Sequence, residues 1–102
     1  MLNSTENIIK ILKKEAPFLK SRFFIKHIDL FGSYARGEAN ENSDVDLIFS
    51  LIDNTRITYF GLARYLVDLQ NRFSKNVDLV EDEFVYPEIK EQIEKEKILL
   101  LS

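Results

Sequence analysis

The sequence predicts an α/β (α+β) fold in which helices flank a small mixed β-sheet. Three short runs rich in β-branched and aromatic residues have strand composition, at residues 24–31, 45–51 and 77–80. Between and around them lie segments whose apolar residues recur at helical spacing. Strands that alternate with helices along a chain indicate a layer of helices packed against a sheet. The order of the strands does not follow from this pattern.

The first helix is predicted over residues 4–15, from the helical spacing of its isoleucine and leucine residues. Asn3 is suited to the N-cap position, with Glu6 three residues later. Pro17 is expected to end or kink this helix, because proline lacks a backbone N–H donor.

The remaining helices follow from similar signals. A short helical turn is predicted at residues 35–40, and a last helix begins near Pro87, since proline is favoured in a first turn. The terminal apolar run 98–101 fits either a continued helix or an edge strand. A long amphipathic helix is predicted over residues 55–73, with an apolar stripe of Tyr59, Leu62, Ala63, Leu66, Leu69 and Phe73.

Length and composition narrow the class of protein. The 102 residues are expected to form one domain, 1–102. The absence of cysteine excludes disulfides and thiolate metal sites. No apolar run approaches a membrane span and the start lacks a secretory signal, so a cytoplasmic protein without a membrane partner is expected. The net charge of −3 argues against binding a long nucleic acid.

The most specific feature is the segment 32–46, which reads GSYARGEANENSDVD. Ten residues separate a Gly-Ser pair from two aspartates that have one residue between them. Strand side chains alternate between faces, so Asp44 and Asp46 point the same way with Cα atoms roughly 6.5–7 Å apart. Two such carboxylates repel each other unless a cation lies between them. The segment therefore predicts a metal-dependent phosphoryl or nucleotidyl transfer site.

Three residues at the start of the segment are candidates for binding phosphate groups. Gly32 permits a tight turn and a close backbone approach to a phosphate, because it has no Cβ atom. Ser33 offers a hydroxyl and a backbone N–H near a helix start, where anions bind well. Arg36 is suited either to neutralising triphosphate charge or to pairing with Glu38 or Glu41.

Other residues have plainer interpretations. Tyr34 is interpreted as a partly exposed aromatic ring, with a place beside the nucleotide as the alternative. Arg64, Asp68 and Arg72 stand four residues apart on the long helix, which is typical of an ion-pair ladder rather than a nucleic-acid-binding stripe.

The GSYARGE…SDVDL wording resembles the active-site signature of the nucleotidyltransferase superfamily that includes DNA polymerase beta and the aminoglycoside nucleotidyltransferases. It most resembles the minimal members, which are one-domain antitoxins encoded beside HEPN-domain ribonuclease toxins. The resemblance covers roughly residues 20–100 and implies a palm-like fold reduced to its core. It also implies a third carboxylate on a later strand, for which Asp78 has a suitable apolar setting.

The resemblance implies a function as well. Asp44, Asp46 and Asp78 would be catalytic and hold one or two Mg²⁺ ions, with Asp78 as the candidate general base. Gly32, Ser33 and Arg36 would bind the nucleoside triphosphate, ATP. The expected reaction moves AMP to a tyrosine hydroxyl of a HEPN toxin, which this AMPylation silences.

Two alternatives remain open at this stage. A non-catalytic binding module could mask a toxin sterically, with the metal site as a relic. The intact acidic positions favour the enzyme, since a relic would be free to lose one. A nucleotidyltransferase for a small hydroxylated antibiotic is the other alternative, and it lacks an evident acceptor-binding domain.

Overall fold

The computed structural model describes residues 5–52 and 59–102. Within these ranges the elements are α1 (Thr5–Phe23), β1 (Ile25–Phe31), α2 (Ser33–Arg36), β2 (Val45–Leu51), α3 (Tyr59–Phe73), β3 (Val77–Glu81), a 3₁₀ turn (Asp82–Phe84), α4 (Pro87–Glu96) and β4 (Ile98–Leu101). The predicted strands and the three longer helices are therefore present, whereas the short helical turn predicted at residues 35–40 lies earlier, at Ser33–Arg36. The proposed N-cap Asn3 and the predicted helical residues 55–58 lie outside the described residues.

The four strands form one mixed sheet in the order β3-β2-β1-β4. β1 is antiparallel to both β2 and β4, whereas β2 and β3 are parallel. This arrangement confirms the predicted mixed sheet with flanking helices. Of the two possibilities for the terminal apolar run 98–101, the structure has the edge strand, β4.

The first helix is longer than the predicted 4–15, and of the two effects expected of Pro17 the ending of the helix is wrong, because α1 continues to Phe23. The buried residues of α1 lie on one side of the helix along its whole length. They are Ile8, Leu12, Ala16, Leu19 and Phe23. The side chain of Pro17 is exposed. Because proline has no backbone N–H, the helix loses one hydrogen bond there, which destabilises a helix interior by about 3 kcal/mol. Burying Leu19 and Phe23 beyond it outweighs that loss.

The sheet has one face in the hydrophobic core and one face that carries polar groups. Helices α1 and α3 cover the first face, where Val45, Leu47 and Phe49 of β2 join the core cluster. Because strand side chains alternate, Asp46 and Ile48 project from the opposite face. There Ile48 lines a cavity together with Ile93 of α4, so α4 lies on that side of the sheet. None of the helices in the described ranges is long and apolar enough to cross a membrane.

Candidate active site

The register of the sheet brings two predicted site carboxylates side by side. Asp46 is the direct partner of Asp78 across the parallel strands β2 and β3. Neighbouring strands lie roughly 4.8 Å apart, and paired residues project from the same face. Asp44 lies one residue before β2 begins. Asp46 and Asp78 therefore lie side by side on the polar face, and the charge of Asp44 acts on Asp46 from the residue before the strand.

The electrostatics of Asp46 reflect this crowding. Burial, the negative charge of Asp78, a hydrogen bond with Asp78 and the charge of Asp44 together raise the pKa of Asp46 to about 6. The positive charge of Arg36 acts in the opposite direction. A carboxyl group in this environment is stabilised by a proton or by a cation.

The raised pKa of Asp46 predicts how the stability of the metal-free protein depends on pH. In the folded state this group keeps its proton up to about pH 6, whereas its ordinary pKa is 3.8. The folded state binds more protons between these values, so the free energy of unfolding rises as the pH falls from 7 towards 5. We expect a gain of about 1 kcal/mol, because a pKa raised from 3.8 to about 6 allows little more than this between pH 7 and pH 5 and the group is only partly buried. Urea unfolding in EDTA at both pH values measures it.

The matched control is Asp46→Asn, which keeps the shape and cannot titrate. It should remove most of the gain between pH 7 and pH 5. Glu15 and Glu96 have lowered pKa values, so their stabilising contributions are lost only below their ordinary value of 4.5. The same pH dependence in the wild type and in Asp46→Asn would contradict the assignment to this group.

Gly32 places the turn between β1 and α2 directly against Asp46. Its backbone has φ 77° and ψ −157°, a conformation that is essentially restricted to glycine. A Cβ atom at this position would lie 2.3 Å from Oδ2 of Asp46, far inside van der Waals contact. Glycine is therefore required here for two independent reasons. Ser33 follows at once as the first residue of α2 and is half-buried.

This geometry agrees with a comparison with known proteins. The model of the family described as a nucleotidyltransferase domain matches residues 6–100. The chain belongs to the nucleotidyltransferase domain family. It is 39% identical over 80 residues to the protein adenylyltransferase MntA of Thermococcus cleftensis, covering 78% of this chain and 75% of that protein.

Two solved structures share the fold of this nucleotidyltransferase. A structure described as a minimal nucleotidyltransferase aligns with a TM-score of 0.73 and 29% identity, over 93% of this chain and 94% of the other. A chain in the complex of a tri-AMPylated HEPN toxin of Shewanella oneidensis with an MNT antitoxin aligns with a TM-score of 0.63 and 17% identity. That match covers 92% of this chain and 72% of the other, and it shows a shared fold alone.

The acidic residues of the nucleotidyltransferase fit Mg²⁺ by their chemistry. Mg²⁺ prefers hard oxygen ligands, and a bound cation would relieve the repulsion that, after burial, raises the pKa of Asp46. Across residues 5–52 and 59–102, no three acidic or imidazole side chains already form a close metal-binding group. The assignment of Asp44, Asp46 and Asp78 as metal ligands therefore stays a prediction.

Arg36 is engaged by two glutamates. Its Nε donates to Oε1 of Glu38 at 2.8 Å, and its Nη1 donates to Oε2 of Glu96 at 3.1 Å. Pairing with Glu38 was one of the two possibilities that the sequence left open. Glu96 was not identified from the sequence, because an acid near the end of a charged helix carries no distinguishing local signal. Only the pairing of β4 with β1 reveals its position.

The interpretation of Tyr34 as partly exposed is wrong. Its side chain is 3% exposed and belongs to the core cluster. As the second residue of α2, it packs into the hydrophobic core. Nζ of Lys75 lies 5.6 Å from the centre of its ring, a cation–π contact.

Proposed function

We propose that this nucleotidyltransferase is a Mg²⁺-dependent protein adenylyltransferase of the cytoplasm. In this proposal it acts as one domain that transfers AMP from ATP to a tyrosine hydroxyl of a HEPN-domain toxin, and so serves as an antitoxin. The observation that carries the proposal is the pairing of Asp46 with Asp78 beside the glycine turn at Gly32. The protein adenylyltransferase of Thermococcus cleftensis and the AMPylated toxin complex of Shewanella oneidensis support the choice of reaction and partner.

The three aspartates would hold the metal. Asp44 immediately precedes β2, Asp46 lies in β2, and Asp78 is the direct partner of Asp46 in β3. When bound, one or two Mg²⁺ ions would offset negative charge on the triphosphate and on the leaving pyrophosphate. The Ser33 hydroxyl and the backbone of the Gly32–Ser33 turn would contact phosphate oxygens.

The transfer step conserves atoms and charge. The hydroxyl oxygen of the acceptor forms a bond to the α-phosphorus of ATP, and the bond from that phosphorus to the bridging oxygen of the β-phosphate breaks. Pyrophosphate leaves with the bonding electrons. The hydroxyl proton passes to the carboxylate of Asp78, which is exposed and so accessible to an acceptor protein.

A labelling experiment tests this proposal. The purified chain with ATP and Mg²⁺ alone should give little beyond slow hydrolysis or self-labelling. Addition of a cognate HEPN protein should produce a covalent AMP adduct, detected by mass spectrometry, because the acceptor hydroxyl is then supplied. The adduct should disappear when the acceptor tyrosine is replaced by phenylalanine, and ATP binding measured by calorimetry should weaken sharply in EDTA.

Three outcomes would contradict the proposal. An unmodified HEPN protein after prolonged incubation with active enzyme would exclude it as the acceptor. Rapid labelling of a small hydroxylated antibiotic, with no protein acceptor, would assign the chain to the other branch of the family. ATP binding that is indifferent to Mg²⁺ would exclude the three-aspartate metal site.

A further inference from the structure

Glu96 connects two parts of the candidate site that are far apart in sequence. Its side chain is 9% exposed. Oε1 accepts the backbone N–H of Gly32 at 3.2 Å, and Oε2 accepts Nη1 of Arg36 at 3.1 Å. Because Gly32 is the N-cap of the short helix α2 and Arg36 is its last residue, a single carboxylate contacts both ends of this helix.

The fold explains why this carboxylate lies there. β1 and β4 are antiparallel, with Leu30 paired to Ile98. When that register is continued by two residues, Gly32 stands opposite Glu96. The segment before β4 is itself held in place, since Ile93 is buried and the backbone N–H of Lys97 donates to its carbonyl oxygen at 2.8 Å.

The turn at Gly32 needs such a restraint. Glycine has more backbone freedom than any other residue, so the conformation that brings Gly32 against Asp46 is one of many available to it. A hydrogen bond from a backbone N–H to a carboxylate is stronger than one between neutral groups, and it favours this single conformation.

The contact with Arg36 has a second effect. The arginine side chain is long, and its guanidinium group could point into solvent, away from the acidic cluster of Asp44, Asp46 and Asp78. Two carboxylates hold it, and in this position its positive charge reaches Asp46 and lowers the pKa of that group.

We propose that Glu96 is a positioning residue of the nucleotidyl-transfer site, holding the Gly32 turn against Asp46 and the Arg36 guanidinium beside the acidic cluster. It acts through these two residues and has no contact of its own with the reacting atoms. The inference rests on the proposed function only in taking the turn as the contact for the polyphosphate of a nucleotide.

The experiment compares two glutamates of α4. Glu96→Gln keeps the shape of the side chain and removes the charge that Gly32 and Arg36 contact. Glu94→Gln is the matched control, because Glu94 is 66% exposed and pairs with Lys97 at 2.9 Å, away from the turn. The amide resonance of Gly32 is followed by NMR, and the affinity for ATP with Mg²⁺ is measured by calorimetry.

In Glu96→Gln the Gly32 amide proton should move upfield and exchange with solvent about tenfold faster, as expected when a charge-assisted bond is weakened. The affinity for ATP should fall about tenfold. Glu94→Gln should match the wild type in both measurements. In an Arg36→Ala background the effect of Glu96→Gln on ATP affinity should be smaller, because one of the two contacts is already lost.

Some results would overturn the inference. These are an unchanged Gly32 amide in Glu96→Gln, an unchanged affinity for ATP, or equal losses in Glu96→Gln and Glu94→Gln. Neither readout involves an acceptor protein. A wild-type chain that binds ATP but labels no HEPN protein would therefore defeat the proposed acceptor and leave the role of Glu96 standing.

Discussion

Replacing both Asp44 and Asp46 by asparagine should reduce AMP transfer by about 10³-fold or more. The change keeps the size and shape of the side chains but removes two of the three charges proposed to hold metal. A loss of this size corresponds to about 4 kcal/mol of transition-state stabilisation. Discontinuous assays with radiolabelled ATP and a HEPN acceptor have the range to measure it. The fold should survive, because removing the repulsion at Asp46 favours the metal-free structure.

The same variant separates catalysis from steric masking. A masking partner should protect cells from its toxin as well as the wild type does, since the surface of the double variant is nearly unchanged. If neutralisation is enzymatic, the double variant should lose both AMP transfer and the protection of cells from the toxin. Asp68→Asn is the control, because Asp68 is 64% exposed on α3 and pairs with Arg72 at 3.9 Å. Full protection by the double variant would refute the enzymatic account of neutralisation.

The local chemistry of the site could be predicted from sequence because it depends on short-range patterns. Strand alternation alone predicts Asp44 and Asp46 on one face, and the structure has Asp46 in β2 with Asp44 one residue before the strand. A glycine followed by serine at a strand end predicts a tight turn, and the structure adds the contact with Asp46 that makes this glycine irreplaceable. The family resemblance supplied Asp78, and the parallel register of β2 and β3 then brings it beside Asp46.

Long-range pairing explains what the sequence could not provide. The choice of partner for Arg36 depends on where β4 lies, and the apolar run 98–101 is compatible with either helix or strand by itself. Glu96 becomes recognisable only once that run is paired with β1. The side on which Tyr34 is buried and the continuation of α1 through Pro17 are likewise decided by packing, which outweighs the local preference.

Among single substitutions in this turn, Gly32→Ala should reduce activity the most. Gly37→Ala is the matched comparison that isolates the effect of backbone strain. Both glycines have positive φ, 77° and 74°, so alanine is strained at either position. A Cβ atom at Gly37 would meet nothing within 4 Å, and the cost there should be about 1 kcal/mol of backbone strain. At Gly32 the added methyl group would also collide with Oδ2 of Asp46, 2.3 Å away, and with the rest of that side chain.

Because a contact of 2.3 Å cannot persist, either the turn or the Asp46 carboxylate must move. Either displacement separates the Gly32–Ser33 backbone from the acidic cluster, so ATP binding and transfer should fall by about 100-fold or more, as a misplacement of about 1 Å does in other active sites. Gly37→Ala should keep nearly full activity while losing a few degrees of thermal stability. Calorimetry with ATP and thermal unfolding of both variants measure the two effects separately. Equal losses of ATP affinity in the two variants would mean that backbone strain, and not the approach of Gly32 to Asp46, determines the need for glycine.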